Sequence, residues 1–309
     1  MNNIPEEQNS PKQLDRLAAQ RNLYATAKKI FGVQITLAAP IAIVWTISVL
    51  VDRSIVGYAA IWGLTVVLSD ILFLTPWQKR LRAKAAKIQE LFDCDVLQMP
   101  WNEIKAGPPP APEEVKEQSD RYKKVEGKHP TLVNWYAPVV GELPIAMARL
   151  VCQRTNCWWD ATQRKRYAAW ILGIILFILL LIVGIGLFGG LTVEALFLGA
   201  ILPLAPAITV GVRQFLEQME SAQRLDELRN HAEGIWAAAC CNPDSPEFAL
   251  KSRSLQNEIF DNRKRTPLVF DWIFKLFRDK YEDQMNYSAE ELVQEASRSI
   301  NSYGSGTNV

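Results

Sequence analysis

The chain has 309 residues, a formal net charge of +1, five cysteines and two histidines. With no Cys-x-x-Cys pair and only His129 and His231 as imidazole ligands, the composition argues against a zinc centre. We therefore expect no metal and no other cofactor. Hydrophobic residues make up 49% of the chain, and their distribution is more informative than the net charge.

Four long apolar stretches dominate the sequence, at residues 30–51, 55–74, 168–191 and 195–212. A helix of about 20 apolar residues spans the ~30 Å hydrocarbon core of a bilayer. The stretches are continuous rather than alternating, which is typical of membrane helices and not of barrel strands. The sequence therefore predicts a mainly α, multi-pass membrane protein with four transmembrane helices.

The four stretches form two closely spaced pairs. Residues 52–54 separate the first two and residues 189–194 separate the last two, so each pair is predicted to form an antiparallel hairpin. Of the 34 Lys and Arg residues, only Arg53 lies on the side of these short connections. The positive-inside rule then places both termini and the long middle segment in the cytoplasm.

These features divide the chain into five parts. The middle segment carries a net positive charge and the C-terminal segment a net negative one, which fits docking of one on the other and equally fits two mixed solvated surfaces. Together they are long enough for one compact, mostly helical domain. We expect an N-terminal cytoplasmic helix, a transmembrane hairpin, a cytoplasmic segment, a second hairpin and a C-terminal cytoplasmic segment, at 1–30, 31–74, 75–167, 168–212 and 213–309.

The predicted cytoplasmic parts are mostly helical. Residues 1–9 are polar and predicted to be disordered, and Ser10 followed by Pro11 marks the start of the first helix. Residues 92–102 form an apolar piece that fits a short strand or an extended packing segment, and Ser288 begins a Ser-x-x-Glu capping signature for a last helix. The remaining helices are predicted at 79–92, 113–125, 143–153, 214–239, 247–265 and 270–284.

Acidic residues within the apolar stretches are functional candidates, because a charge inside the bilayer is costly. Asp70 lies near the inner end of the second stretch and Glu194 at the outer edge of the fourth. Since both are close to water, an interfacial or helix-capping role is the alternative. No stretch carries the polar stripe of a standing ion filter. The chain also lacks phosphate-loop, dinucleotide and zinc-hydrolase motifs, so we expect no catalytic residues and no enzyme.

Arginine and aromatic residues recur together in the two cytoplasmic segments. Arginine donates paired hydrogen bonds to phosphate and aromatic rings stack on bases, as a nucleotide ligand requires. The alternatives are an interfacial aromatic belt for Trp158, a core position for Trp272 and a solvated helix end for residues 263–265. The candidate nucleotide contacts are Arg154, Trp158, Arg263, Arg265, Trp272 and Arg278.

Three stretches carry further motifs: Phe92-Asp93-Cys94 with Met99-Pro100-Trp101-Asn102; Trp135-Tyr136 with Gln153-Arg154-Thr155-Asn156 and Trp158-Trp159-Asp160; and Leu255-Gln256-Asn257-Glu258-Ile259-Phe260 with Arg263, Pro267, Asp271-Trp272, Arg278 and Tyr281-Glu282. Together with the paired spacing of the apolar stretches, they resemble the four-transmembrane effectors of bacterial CBASS anti-phage systems, the SMODS-associated four-transmembrane effector family. The resemblance extends over nearly the whole chain.

The resemblance implies a function and a set of partners. A nucleotidyltransferase that senses infection makes a cyclic di- or oligonucleotide; the effector binds it and permeabilises the inner membrane, and the infected cell stops growing or dies. The implied partners are this messenger, membrane lipid and further copies of the chain in a homo-oligomer, with neither DNA nor RNA. A constitutive ion channel or transporter, and a membrane scaffold that recruits a cytoplasmic partner, are the alternatives.

Overall fold

The computed structural model describes residues 1–127, 131–190, 192–196, 202–242, 245 and 247–306. All regular elements in this part of the chain are helical. Short 3₁₀ helices lie at Arg53–Ile55 and Pro138–Glu142, and a π-helix lies at Asp70–Leu74. The α-helices are α1 (Ile4–Glu7), α2 (Pro11–Ala38), α3 (Pro40–Val51), α4 (Val56–Ser69), α5 (Thr75–Val96), α6 (Glu103–Ala106), α7 (Pro112–Glu126), α8 (Ile145–Phe188), α9 (Val193–Leu196), α10 (Leu202–Cys241), α11 (Glu247–Arg265) and α12 (Asp271–Gly306).

Proline and glycine mark several helix boundaries. α2 begins at Pro11, as predicted, because proline lacks an N–H and its fixed φ suits the first turn. α3 begins at Pro40, and the preceding Ala39 leaves helical geometry with φ −118°. α7 ends before Gly127, whose φ of 74° lies in a region that glycine adopts without steric cost.

Among the described residues, three helical stretches are long and apolar enough to cross a membrane: Pro11–Trp45, Val56–Val96 and Ile145–Phe188. Their apolar side chains are widely exposed, for example Ile61 at 65% and Leu180 at 71%, as contact with lipid requires. The prediction of a helical protein with membrane-crossing helices is thus supported. The predicted fourth span includes residues 197–201, which lie outside the described residues, so the count of four and the two hairpins stay predictions.

The third of these stretches is one uninterrupted helix. α8 joins the predicted helix at 143–153, the aromatic segment after it and the third apolar stretch into 44 residues, about 66 Å at ~1.5 Å per residue. α10 packs along α8. Because α8 continues without a break from the extramembrane core into the membrane-crossing part, a displacement of one end moves the other.

The first five residues of the piece at 92–102, predicted as a strand or an extended segment, are instead the end of α5, and residues 97–102 form a turn and an irregular segment after it. The helix continues to Val96 and is followed by Gln98 with φ 52°. The N–H of Met99 donates to the carbonyl of Cys94 at 2.8 Å, and that of Gln98 to the carbonyl of Asp95 at 3.2 Å, the pattern of a Schellman turn. The apolar character of this segment reflects its burial in the core and not a strand.

The predicted disorder of residues 1–9 is wrong. This segment contains α1, and Ile4 is fully buried. Asn2 Nδ2 donates to the Val140 carbonyl at 2.7 Å. Gln8 bonds both main-chain groups of Tyr136, at 3.1 Å to the carbonyl and 2.7 Å from the N–H. The polar residues of the N-terminus therefore form hydrogen bonds with the main chain of a distant loop, and composition alone does not indicate this.

The two predicted C-terminal helices are one helix, α12. Ser288 does not cap a new helix, because its Oγ accepts a hydrogen bond from Arg154 Nη1 at 3.0 Å. The small, polar residues at 303–309 predict a disordered tail, but the chain is helical up to Gly306, and residues 307–309 lie outside the described residues.

The extramembrane core combines the middle and C-terminal segments with the N-terminus. Its largest cluster packs α1, α2, α5, α8, α10, α11 and α12 together, with Phe92, Tyr136 and Met147 buried among them. A second cluster packs Cys157 of α8 against Leu225 of α10 and Leu255 of α11. The sequence segments on both sides of α8's apolar part thus fold as one body.

Candidate functional site

The structure distributes the six predicted nucleotide contacts over separate places. Arg154 and Trp158 lie one helical turn apart on α8, and Arg263 and Arg265 lie at the end of α11. The other two lie on α12, where the side chain of Arg278 is outside the described part of the structure. The five residues whose side chains are described do not share one pocket, and the role of all six in nucleotide binding stays a prediction.

Arg154 and Trp158 belong to a surface where α8 meets α12. We call this the α8–α12 aromatic surface, and it comprises Arg154, Trp158, Trp159, Arg166 and Tyr281. The Tyr281 ring is buried, and both indoles contact it edge-on, with centroid separations of 6.1 Å for Trp158 and 5.6 Å for Trp159. Arg166 Cζ lies 5.0 Å from the same ring centroid. Both indoles are partly exposed, so their outer edges and faces are open to a ligand.

Arg154 connects this surface to two helices. Its Nε donates to Glu233 Oε1 of α10 at 2.9 Å, and its Nη1 donates to Ser288 Oγ of α12 at 3.0 Å. The guanidinium carries five N–H donors in a fixed plane. An incoming phosphate that replaced either partner would therefore change how α8 holds α10 or α12.

Three members of this surface were absent from the predicted set, namely Trp159, Arg166 and Tyr281. Tyr281 stood in a recognised motif but carried no charge that indicated a ligand. Arg166 stood in the basic run expected at a membrane boundary. Only the approach of α12 to α8 shows that these residues share one surface.

Arg263 lies in a different environment, a buried set of charges between α5 and α11. We call this the α5–α11 ionic network, and it comprises Glu90, Asp93, Arg253, Gln256 and Arg263. Arg253 Nη2 donates to Glu90 Oε1 at 2.6 Å, and Gln256 Nε2 donates to Glu90 Oε2 and Asp93 Oδ2, both at 2.9 Å. Arg263 forms an ion pair with Asp93, and their side chains are 10% and 0% exposed.

The α5–α11 ionic network is joined to the loop before α8 and to α8 itself. The Tyr136 hydroxyl donates to Asp93 Oδ1 at 2.7 Å and accepts from Asn156 Nδ2 at 3.2 Å. Burial, with the Asp93 carboxylate beside it, raises the pKa of Tyr136 well above its ordinary value. Burial alone would lower the pKa of Arg263, but the Asp93 carboxylate outweighs it and the pKa is raised. Arg263 is thus a permanently charged group held by a structural ion pair.

The chain after α11 is held by side chains from α5, α8 and α10. We call residues 266–270 the α11–α12 linker. Arg82 of α5 donates to the Lys264 and Thr266 carbonyls, at 3.1 and 2.9 Å. Arg164 of α8 donates to the Pro267 carbonyl at 2.8 Å, and Gln218 of α10 donates to the Leu268 carbonyl at 2.9 Å. Cationic groups at a helix C-terminus satisfy its unpaired carbonyls and complement its dipole.

The apolar side of the α11–α12 linker packs against the same helices. Phe270 stacks on Phe31 of α2 with a centroid separation of 5.1 Å and contacts the edge of Tyr167 of α8 at 6.4 Å. Leu268 packs with Phe31 and Ala27 of α2. The linker therefore contacts all three helical stretches that are able to cross a membrane.

The two remaining predicted contacts lie at surfaces. Arg265 is exposed at the last position of α11. Trp272 is 52% exposed and contacts Trp170 edge-on at 6.3 Å. A shallow hollow of about 460 Å³ lies along α8 and is lined by Arg166, Trp170 and apolar residues of the membrane-crossing part. The tryptophan pair has the exposure of an aromatic belt at a membrane interface. The core position that was the alternative for Trp272 is wrong, because the side chain is exposed.

The residues that the structure describes contain no group of three or more His, Cys, Asp or Glu side chains arranged to hold a metal ion. The functional features of this part of the chain are hydrogen-bonding, ionic and aromatic. They define a helical membrane protein whose extramembrane core shares α2, α5 and α8 with its membrane-crossing stretches, and the α11–α12 linker contacts each of these helices.

The comparisons with known proteins place this architecture in a family. The sequence model of the SMODS-associating 4TM effector domain matches residues 2–292, and the chain belongs to that family, as the resemblance predicted. It is 25% identical over 286 residues to a protein of Bacillus cereus (strain VD146) described as a probable CBASS effector molecule, covering 91% of this chain and 95% of that protein. No solved structure matches the chain significantly. Family membership supports a role as an anti-phage membrane effector.

Proposed function

We propose that the protein is a nucleotide-gated effector of the bacterial inner membrane. A cyclic di- or oligonucleotide, made by a partner nucleotidyltransferase, binds the cytoplasmic core and triggers permeabilisation by an oligomer of the chain, without any catalytic step. The observation that carries this proposal is the α11–α12 linker, held by Arg82, Arg164 and Gln218. Through it, the end of α11 and the start of α12 contact α2, α5 and α8, which belong to the three apolar stretches of the described structure.

The α8–α12 aromatic surface is the proposed nucleotide site. Trp158 and Trp159 offer partly exposed indoles for stacking on bases. Arg154 and Arg166 flank them on the same helix, and guanidinium groups bind phosphate with paired hydrogen bonds. The surface is formed by two helices, so a ligand bound across it alters their relative position.

The geometry gives a path from this site to the membrane. α12 begins at Asp271, directly after the α11–α12 linker, and Asp271 forms an ion pair with Lys28 of α2. A displacement of α12 along α8 therefore pulls on the linker and on α2. The stacked pair of Phe270 and Phe31 lies at the same point. Binding that moves α12 thus disturbs the contact between the core and the first membrane-crossing helix.

Vesicles of phosphatidylethanolamine and phosphatidylglycerol that contain the protein and a trapped dye test this proposal. Cyclic di-AMP, cyclic di-GMP, cyclic GMP–AMP and cyclic tri-AMP are added in turn. We expect at least one to raise the melting temperature of the protein and to release dye. Release without nucleotide would support a constitutive channel instead, and no effect of any compound would overturn the proposal.

The position of the site is tested with Trp158→Ala. Loss of one stacking partner costs about 1–3 kcal/mol, so we expect nucleotide affinity to fall by about 5- to 150-fold. Trp77→Ala is the matched control, because Trp77 is also an exposed tryptophan but lies on α5. If Trp158→Ala and Trp77→Ala bind nucleotide with equal affinity, the nucleotide does not bind at the α8–α12 aromatic surface, and the proposal of gated release still stands.

A further inference from the structure

The second membrane-crossing stretch contains an irregular segment that begins with Asp70, an acidic residue whose side chain is partly exposed. Between α4 and α5, residues Asp70–Leu74 form a π-helix, and the N–H of Thr75 donates to the carbonyl of Asp70. π-Helical turns are rare and occur frequently at functional positions, since they replace the ordinary hydrogen-bond pattern with a wider one. The π-helix at Asp70–Leu74 places the Asp70 side chain next to Gln34 of α2.

Asp70 is part of a polar cluster between the first and second membrane-crossing stretches. We call it the Gln34–Asp70 cluster, and it comprises Gln34, Asp70, Thr75 and Gln78. Gln34 Nε2 donates to Asp70 Oδ1 at 2.5 Å and to Thr75 Oγ1 at 3.1 Å, and Thr75 Oγ1 donates to the same Asp70 oxygen at 3.2 Å. Gln78 Nε2 donates to Gln34 Oε1 at 3.1 Å. All four side chains are partly exposed.

Gln34 Nε2 contacts two acceptor oxygens of the second membrane-crossing stretch. The –NH₂ group lies between a carboxylate oxygen and a hydroxyl oxygen, the hard donors that metal cations of low polarisability prefer. If Gln34 rotates away, the carboxylate and hydroxyl oxygens of Asp70 and Thr75 are left facing the gap between the helices. Carboxylate groups along a pore select cations over anions.

We propose that the Gln34–Asp70 cluster binds monovalent cations, K⁺ and Na⁺, and makes the permeation path cation-selective. This inference rests on the proposed function, because it assigns the charge selectivity of the path opened by the nucleotide. A carboxylate in an apolar stretch is costly to keep. A purely structural contact between the two helices needs only an acceptor for Gln34, which an asparagine amide oxygen supplies equally well.

Asp70→Asn separates these two roles, since it keeps the size and an acceptor oxygen but removes the charge. Wild type and variant are reconstituted into phosphatidylethanolamine–phosphatidylglycerol vesicles under a KCl gradient. Cyclic di-AMP, cyclic di-GMP, cyclic GMP–AMP and cyclic tri-AMP are added, and the reversal potential gives the K⁺ to Cl⁻ permeability ratio. We expect wild type to prefer K⁺ and the ratio to fall at least about threefold in Asp70→Asn. Asp70→Glu should keep the preference for K⁺.

Glu194→Gln is the matched control, because Glu194 is the other acid of the apolar stretches and lies at a different level, on α9. An unchanged K⁺ to Cl⁻ permeability ratio in Asp70→Asn, or an equal fall of this ratio in Glu194→Gln, would overturn the inference. In either case, flux that depends on nucleotide would still support the proposed function. The absence of flux from wild type with every compound would overturn the proposed function and this inference with it.

Discussion

Arg82 donates from Nη1 to the main-chain carbonyl of Thr266 at 2.9 Å, a bond that joins α5 to the residue directly after α11. Its Nε donates to the Lys264 carbonyl at 3.1 Å, so one guanidinium holds the last turn of α11 and the start of the α11–α12 linker. The Arg82 side chain is buried, and both of these acceptors are main-chain carbonyls. This pair places the end of α11 directly on the helix that continues into the membrane.

We expect Arg82→Gln to weaken the attachment of the end of α11 to α5. Hydrogen bonds from charged donors contribute about 1.5–3 kcal/mol, so the free energy of unfolding in detergent should fall by about that amount. In vesicles, the variant should still bind nucleotide but release dye less steeply with nucleotide concentration. Thermal melting followed by circular dichroism and the dye assay measure the two effects. Arg80→Gln, an exposed neighbour on α5, should change neither, and an equal loss there would refute the assignment.

The ion pair of Asp93 and Arg263 is expected to be structural. Removing one member of a buried pair leaves an uncompensated charge and costs about 3–5 kcal/mol. Asp93→Ala should therefore destabilise the protein by that amount in chemical denaturation. Asp120→Ala breaks the exposed pair of Lys116 and Asp120 and should leave the free energy of unfolding nearly unchanged.

Arg263→Ala then separates the structural role from the predicted nucleotide contact. If the ion pair accounts for Arg263, this variant loses stability comparable to that lost by Asp93→Ala. The double variant Asp93→Leu with Arg263→Met should recover much of the loss, because neither charge of this pair is left without its partner. A variant Arg263→Ala that keeps its stability but loses nucleotide affinity would instead support the prediction of a ligand contact.

Most helices were predictable, but many of their ends and the direction of the charged side chains were not. α11 begins and ends where the pattern placed it, since Pro267 closes the segment. Arg263 stands in an Arg-Lys-Arg run that is typical of a solvated helix end, yet only Lys264 and Arg265 are exposed. The spacing of Gln256, Phe260 and Arg263 on one helical face was the available signal for burial.

The remaining site geometry depends on pairings across long sequence separations. Asp93 and Arg263 are 170 residues apart in the chain, and Tyr281 meets Trp158 only because α12 crosses α8. A capping signature at Ser288 is a local pattern, and the distant Arg154 overrides it. Local propensity specifies where helices form, while such tertiary contacts specify which polar groups meet.

Tyr136 gives the protein a specific sensitivity to alkaline pH. Burial and the Asp93 carboxylate raise the pKa of its hydroxyl well above the ordinary value. In the unfolded chain this hydroxyl ionises near pH 10, so above that pH the unfolded state binds fewer protons than the folded state and stability is lost as pH rises. The contribution is fully present below about pH 10.

Tyr136→Phe should therefore be less stable than wild type at neutral pH, since Asp93 loses a hydrogen bond, but should show a shallower loss of stability between about pH 9 and 11. The measurement is the urea unfolding midpoint in detergent as a function of pH. Tyr287→Phe, at a tyrosine that is 65% exposed, should follow the wild-type curve. Parallel curves for wild type and Tyr136→Phe would contradict the assignment.

Phe270 is expected to couple the core to the membrane helices through its rings on Phe31 and Tyr167. Phe270→Leu keeps most of the apolar volume but removes aromatic pairs that are each worth about 0.5–1.5 kcal/mol. We expect nucleotide to raise the melting temperature of this variant as in wild type, with dye release shifted to higher nucleotide concentration. Leu250→Ala, at an exposed position of α11, is the control and should behave as wild type. Binding and release are measured on the same vesicles. If the variant loses both, Phe270 is needed for folding of the core. If it loses neither, the signal reaches the membrane through another contact.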